Sequence, residues 1–290
     1  MSVVQVSHLR KNFGSTWAVN DISFSVEQGE VFGFLGPNGA GKTTTIRCLM
    51  DFIRPSGGSI TMLGKDAHQD SVALKGQIGY LSGSVRLYSR WTGRMHIDFA
   101  RTFMHQENDM ADELMKRFDF NPDIKIKQLS SGNVQKLGII LAFMHRPKLL
   151  IMDEPTNALD PLLQNEVYQL IAESTSWGAT VFMSSHNLAE VERVCSRVGV
   201  IKRGTMVTTE SIASLKGKRL YTVTAFFNGP FDRQAFQYNG FHITREFDHG
   251  IELTLKGDIN PLIALLQRFP LRDVQIEHAS LEDIFLEFYE

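Results

Sequence analysis

The chain has 290 residues, 43% hydrophobic and 21% charged, with a formal net charge of −2. That length allows one large or two ordinary domains with a sizeable core, and the composition excludes disordered and collagen-like classes. A near-neutral net charge makes no electrostatic case for a nucleic-acid partner, since such domains usually show a strongly basic face, and none is expected.

The first residues, MSVVQVSHLRKNFG, lack the apolar segment of a signal peptide. No apolar run approaches the ~20 residues of a membrane helix; residues 137–144 are far too short. Cys48 and Cys195 stand alone, without a CxxC pair or metal-ligand spacing, and read as inert thiols of a reducing compartment. A cytosolic protein is expected, and any membrane role must be borrowed from a partner chain.

VVQVSHLRKNF and DISFSVEQGE alternate as half-buried antiparallel strands do. VFGFLG is a short apolar strand running into a glycine-rich turn, and TTTIRCLM reads as the helix after it. Residues 84–93 form a polar, aromatic-bearing loop, and 94–126 read as mostly helical. A helix over 134–145, a strand over 148–154, a helix over 161–174 and strands over 180–186 and 197–204 follow. Helices alternating with apolar strands predict an α/β sheet whose central strands are parallel and covered on both faces.

Residues 214–219 read as a linker. Beyond it come RLYTVTAFF, a short helix around 231–238, FHITREF, the turn DHG, IELTLKG, a helix over 261–269 and RDVQIEH. That β-α-β-β-α-β order predicts a small α+β domain of the ferredoxin-like kind. A last helix starts at Ser280, with Asp283 at the capping-box position. Leu281, Ile284, Phe285 and Phe288 are spaced as its apolar face. The predicted domains are 1–216, with a helical subdomain at about 84–146, and 217–290.

Gly36-Pro37-Asn38-Gly39-Ala40-Gly41-Lys42-Thr43 matches GxxxxGK[ST] between a strand and a helix. Glycines let backbone N–H groups converge on a phosphate at the positive end of the helix. Lys42 neutralises β/γ oxygens and the Thr43 hydroxyl ligates Mg²⁺. The loop alone identifies a phosphate binder and no more.

Asp153 and Glu154 end the strand KLLIMDE, and strand alternation sends their side chains to opposite sides. Asp153 is placed for the Mg²⁺ shell. Glu154, just beyond the strand, is a candidate general base that polarises water for attack on the γ-phosphate. His186 ends the next apolar strand, where it can bond the phosphate or hold Glu154 and the water.

Between these motifs stands Leu129-Ser130-Ser131-Gly132-Asn133, followed by VQKLGIILAFMHRPKLLIMDEPTNALDP. This run resembles the ATP-binding-cassette family, whose signature is usually LSGGQ, and the likeness covers about residues 1–215. The resemblance implies a P-loop NTPase cassette: a mixed central sheet with a helical subdomain and an antiparallel β subdomain. It implies two cassettes, identical or different, packed head to tail. Each ATP then lies between one phosphate loop, with Ala18 and Thr44, and the partner's Ser130, Ser131, Gly132 and Asn133. Phe13 matches the aromatic that stacks on adenine, and Asp160 the loop that couples the two sites.

Two departures stand out. Ser131 and Asn133 replace Gly and Gln in the signature, and Gly83 stands where the family usually has a Mg²⁺-ligating Gln after IGYL. Residues 86–99 and 278–285 resemble segments of bacterial exporter subunits for drugs, antimicrobial peptides and polyketides. The resemblance therefore implies an ATPase subunit that drives separate membrane permease chains from the inner membrane face. The alternative is an ATP-binding switch with little turnover.

Overall fold

A computed structural model describes residues 1–103, 109–216, 220–236 and 240–278. They divide into two compact units, Met1–Glu210 and Ser211–Glu290.

The first unit opens with strands β1 (Ser2–Phe13) and β2 (Thr16–Glu27), an antiparallel hairpin. The central strand β3 (Val31–Leu35), buried at every position, leads into helix α1 (Lys42–Leu49). Next come β4 (Gly57–Met62), β5 (Lys65–Asp66), α2 (Ser71–Lys75) and β6 (Ile78–Leu81). Helices α3 (Gly93–Arg101), α4 (Ala111–Arg117) and α5 (Ser131–Phe143) precede β7 (Leu149–Asp153). The unit closes with α6 (Pro161–Ser176), β8 (Thr180–Ser185), α7 (Leu188–Val194), β9 (Arg197–Lys202) and β10 (Thr205–Ser211).

One sheet has the order β2-β1-β4-β5; the other has β10-β9-β3-β8-β7-β6. Pairings from β9 through β3, β8 and β7 to β6 are all parallel. The sheets share an aromatic core: Phe24 of β2 packs 5.4–5.7 Å, centroid to centroid, from Phe32 and Phe34 of β3 and Phe182 of β8. Both cysteines are buried free thiols. Burial pushes the Cys48 thiol up to about 11 and Cys195 higher still, so neither is a nucleophile at neutral pH.

The helical stretch differs from expectation. Residues 118–125 leave the helix, and only a 3₁₀ turn, Ile126–Gln128, follows. Pro122 disfavours helical geometry at Asn121, and Asp119 sits at φ 45°. Helix α5 starts three residues earlier than expected because Ser130 caps it, its hydroxyl accepting from Asn133 N at 3.3 Å. The expected linker is helical at its start: α8 (Ile212–Lys216) begins where Ser214 N donates to Ser211 Oγ at 3.0 Å.

In the second unit, β11 (Leu220–Phe227), β12 (Phe241–Phe247), β13 (Gly250–Lys256), α9 (Asn260–Leu266) and β14 (Leu271–His278) follow in turn. The sheet order is β12-β13-β11-β14, antiparallel throughout. Strand β13 thus splits the β11–β12 crossover, the ferredoxin-like arrangement. A 3₁₀ turn, Arg233–Phe236, replaces the expected first helix; 237–239 lie outside the described residues. So does the expected last helix from Ser280, with Leu281, Asp283, Ile284, Phe285 and Phe288.

Candidate functional site

Parallel pairing sets the site. Leu35 pairs with Ser185, Asp153 with Ser184 and Leu81 with Met152. The carboxyl ends of β3, β8, β7 and β6 therefore open on one edge of the sheet, the usual place for a ligand in such folds. A cleft of ≈ 340 Å³ lies there.

The loop after β3 wraps one side of this cleft. Gly41, at φ 111°, allows the backbone to turn into α1; a Cβ there would meet Ala18 O at 2.6 Å. Lys42 is 6% exposed. Its Nζ donates to Gly36 O at 2.6 Å and Pro37 O at 3.3 Å, and lies 3.3 Å from Glu154 Oε1.

Asp153 and Glu154 do part company, but not through strand alternation. The strand ends at Asp153, and Glu154 adopts φ 51°, a left-handed conformation that leaves the pleat. Asp153 accepts from Thr43 Oγ1 at 2.8 Å and from Ser184 Oγ. Glu154 Oε2 lies 2.7 Å from His186 Nδ1. Thr43 and Asp153 thus form a hard oxygen pair that fits Mg²⁺, which usually takes one or two protein ligands plus phosphate oxygens. Among the described residues no group of three or more His, Cys, Asp or Glu could hold a metal alone.

Of the predicted residues, Ala18, Pro37, Asn38, Gly39, Gly41, Lys42, Thr43, Thr44, Asp153 and Glu154 line the cleft. Phe13, Gly36, Ala40 and His186 do not. Gly36 is packed against Ile201, where a Cβ would come 2.4 Å from the carbonyl, and Ala40 O accepts from Gly204 N at 2.9 Å. Phe13 lies at the end of β1, 53% exposed, with the Lys11 ammonium 5.0 Å from its ring centroid.

Ser130, Ser131, Gly132 and Asn133 line no part of this cleft. They lie at the start of α5, where Gly132 allows close approach to Ala158 O; a Cβ there would be 3.1 Å away. Asp160 caps α6, its Oδ1 accepting from Leu162 N and Leu163 N at 3.0 Å each.

Ser82, Gly83 and Ser84 also line the cleft, and a Cβ at Gly83 would sit 3.2–3.3 Å from Asp153 atoms. Sequence reasoning missed Arg47 and Asn157, which also line the cleft. Arg47 falls one helical turn after Thr43, a spacing that could have revealed it. Ser184 and Glu190 were missed because their hydrogen bonds cross between elements.

A family model described as "ABC transporter" matches residues 19–157. The ABC transporter ATP-binding protein YhcH of Bacillus subtilis is 32% identical over 99% of this chain and 95% of its own. The bacitracin transport ATP-binding protein BcrA of Bacillus licheniformis is 31% identical over 98% and 96%. The chain belongs to the ABC transporter family. It is an ATP-binding subunit of that family, and an ATPase. A solved ATP-binding subunit of an ABC transporter superposes with a TM-score of 0.70 at 26% identity, covering 74% of this chain and 92% of that one. The expected P-loop NTPase architecture is the observed one. No helix among the described residues is long and apolar enough to cross a membrane.

Proposed function

We propose that this cassette drives an exporter, binding ATP through residues 36–44 and hydrolysing it with Glu154 as general base and His186 as its partner. The observation that carries the reading is the chain of contacts Lys42–Glu154–His186 at one edge of the cleft. A carboxylate so held is oriented to take a proton from water, while Lys42 is poised to transfer its charge from loop carbonyls to phosphate oxygens. Mg²⁺, held through Thr43 and Asp153, would neutralise the phosphate charge. Phe13, exposed on the hairpin, is available to stack on adenine.

The signature residues support a head-to-tail dimer, homo- or heteromeric. They offer a hydroxyl and helix N-terminal donors, yet contribute nothing to the cleft of their own chain. Asp160 lies next to Pro161 at the base of α6, on the loop that resemblance assigns to coupling the two sites. The exporter reading rests on likeness to the bacitracin transport protein and on the exposed Tyr88, Met95 and Phe99 of the segment 86–99. Such a surface suits a separate membrane permease, which would hold the subunit on the inner membrane face.

Steady-state phosphate release with Mg²⁺ tests the reading: wild type turns over, and Lys42→Ala does not. A second reading, a weakly hydrolysing ATP-binding cassette that acts as a regulatory switch, is favoured by Gly83 and the altered signature. Wild-type protein that dimerises on ATP but releases phosphate only very slowly would establish it.

A further inference from the structure

A buried carboxylate lies behind the Glu154–His186 pair. Glu190, on α7, is 4% exposed. Its two oxygens serve two different segments: Thr156 Oγ1 donates to Oε1 at 2.7 Å, and Ser185 Oγ donates to Oε2. Thr156 stands two residues after Glu154; Ser185 immediately precedes His186. The start of α7 is itself fixed, since Asn187 Oδ1 accepts from Ala189 N at 3.0 Å and Glu190 N at 3.4 Å.

Burying a carboxylate is costly. No basic side chain forms an ion pair with Glu190 among the described residues, and burial pushes its carboxyl up. A leucine would fill the same space without that cost. What a leucine lacks is two acceptors for hydroxyls on different segments.

We infer that Glu190 is a positioning residue for ATP hydrolysis, tying the segment after Glu154 to the strand end before His186 and so fixing their contact. The inference rests on the roles proposed above for that pair. The tie matters because the chain leaves the sheet at Glu154: its amide still donates to Ser184 O at 3.2 Å, but at φ 51° its side chain is no longer set by the pleat. Displacement of reacting groups by about 1 Å costs on the order of a hundredfold in rate.

The test compares Glu190→Ala, Glu190→Gln and Thr156→Val in the full chain by single-turnover hydrolysis and by ATP affinity. Glu190→Ala lowers the single-turnover rate by roughly tenfold or more while ATP affinity stays put. Glu190→Gln restores the rate: its amide oxygen accepts from Thr156, and its NH₂ donates to Ser185 Oγ, whose proton turns to Asn187 O at 3.2 Å. In a His186→Ala background Glu190→Ala adds no further loss, because it acts through that side chain. If Glu190→Ala does not fold, Thr156→Val reads the same split.

A wild-type rate in Glu190→Ala overturns the inference. So does an equal loss of rate and affinity, or full additivity with His186→Ala. Glu154→Gln is assayed alongside. If it hydrolyses ATP like wild type, the underlying assignment fails; if it is inactive while Glu190→Ala is unaffected, only the tie fails.

Discussion

His186 Nδ1 lies 2.7 Å from one oxygen of Glu154, and Lys42 Nζ lies 3.3 Å from the other. One carboxylate thereby joins side chains delivered by the first residue of α1 and the residue just after β8. With Glu154 ionised, the Nδ1 proton must point toward it, which fixes the imidazole tautomer. Removing the ring leaves Glu154 free to follow Lys42 into the phosphate loop. His186→Ala should lower kcat by about 10²-fold or more with little change in ATP affinity. Steady-state kinetics beside nucleotide titration check this, and a pure KM effect counts against it.

Glu154→Gln preserves shape but cannot take a proton from water. Its kcat should fall by about 10²–10⁴-fold. Binding survives, so the variant should accumulate as an ATP-bound dimer, visible by light scattering as a doubled mass that reverts when nucleotide is removed. A monomer under saturating ATP argues against the proposed sandwich.

Gly83 abuts the carboxylate of Asp153, with room for hydrogen but little for a methyl group. Gly83→Ala should displace the loop or the Asp153 side chain, which also holds Thr43 Oγ1 at 2.8 Å. The Mg²⁺ concentration for half-maximal ATP binding should rise. Titrating Mg²⁺ against a fluorescent ATP analogue measures it, and an unchanged midpoint would show that the loop has slack.

Asp160 satisfies two N–H groups at the start of α6. Asp160→Ala should therefore destabilise by about 1 kcal/mol, read as a fall of roughly 2–4 °C in Tm for a unit of this size. Asp160→Asn keeps the cap and should recover the Tm. If Asn also fails to restore dimer formation, the carboxylate has a role across the interface beyond capping.

Burial raises the Glu190 carboxyl above its ordinary range, against the opposing pull of its two hydroxyl donors. A raised value means that the folded state favours the protonated acid. That stabilisation is complete below the unfolded pKa and is lost as pH rises through the folded one. Glu190→Gln carries no such titration. Its Tm should exceed that of wild type at about pH 7.5 and converge on it near pH 4. Parallel curves across that range would show that the hydroxyl donors fully offset the burial.

Much of this was legible along the chain, and the reason is local. The phosphate loop needs glycine where φ is positive and a lysine and threonine at fixed offsets, so eight consecutive residues carry it. The strand periods are likewise local, which is why β3, β7 and β8 fall within a residue or so of their predicted bounds. The failures are also local: a proline at 122 and a serine cap at 130 outweighed the apolar spacing that suggested longer or later helices.

What the chain order did not contain is proximity between segments more than a hundred residues apart. Thr43 meets Asp153 and Lys42 meets Glu154 only because parallel pairing of β3, β8 and β7 aligns their carboxyl ends. Strand alternation explained the divergence of Asp153 and Glu154 wrongly; a single left-handed residue does it. Glu190 reads in sequence as one more acid on a short helix. Its burial between Thr156 and Ser185 exists only in three dimensions, since hydrogen bonds between elements depend on packing and leave no periodic trace in the chain. Residue types determined the chemistry this cassette can perform; the tertiary fold decided which of its carboxylates are placed to perform it.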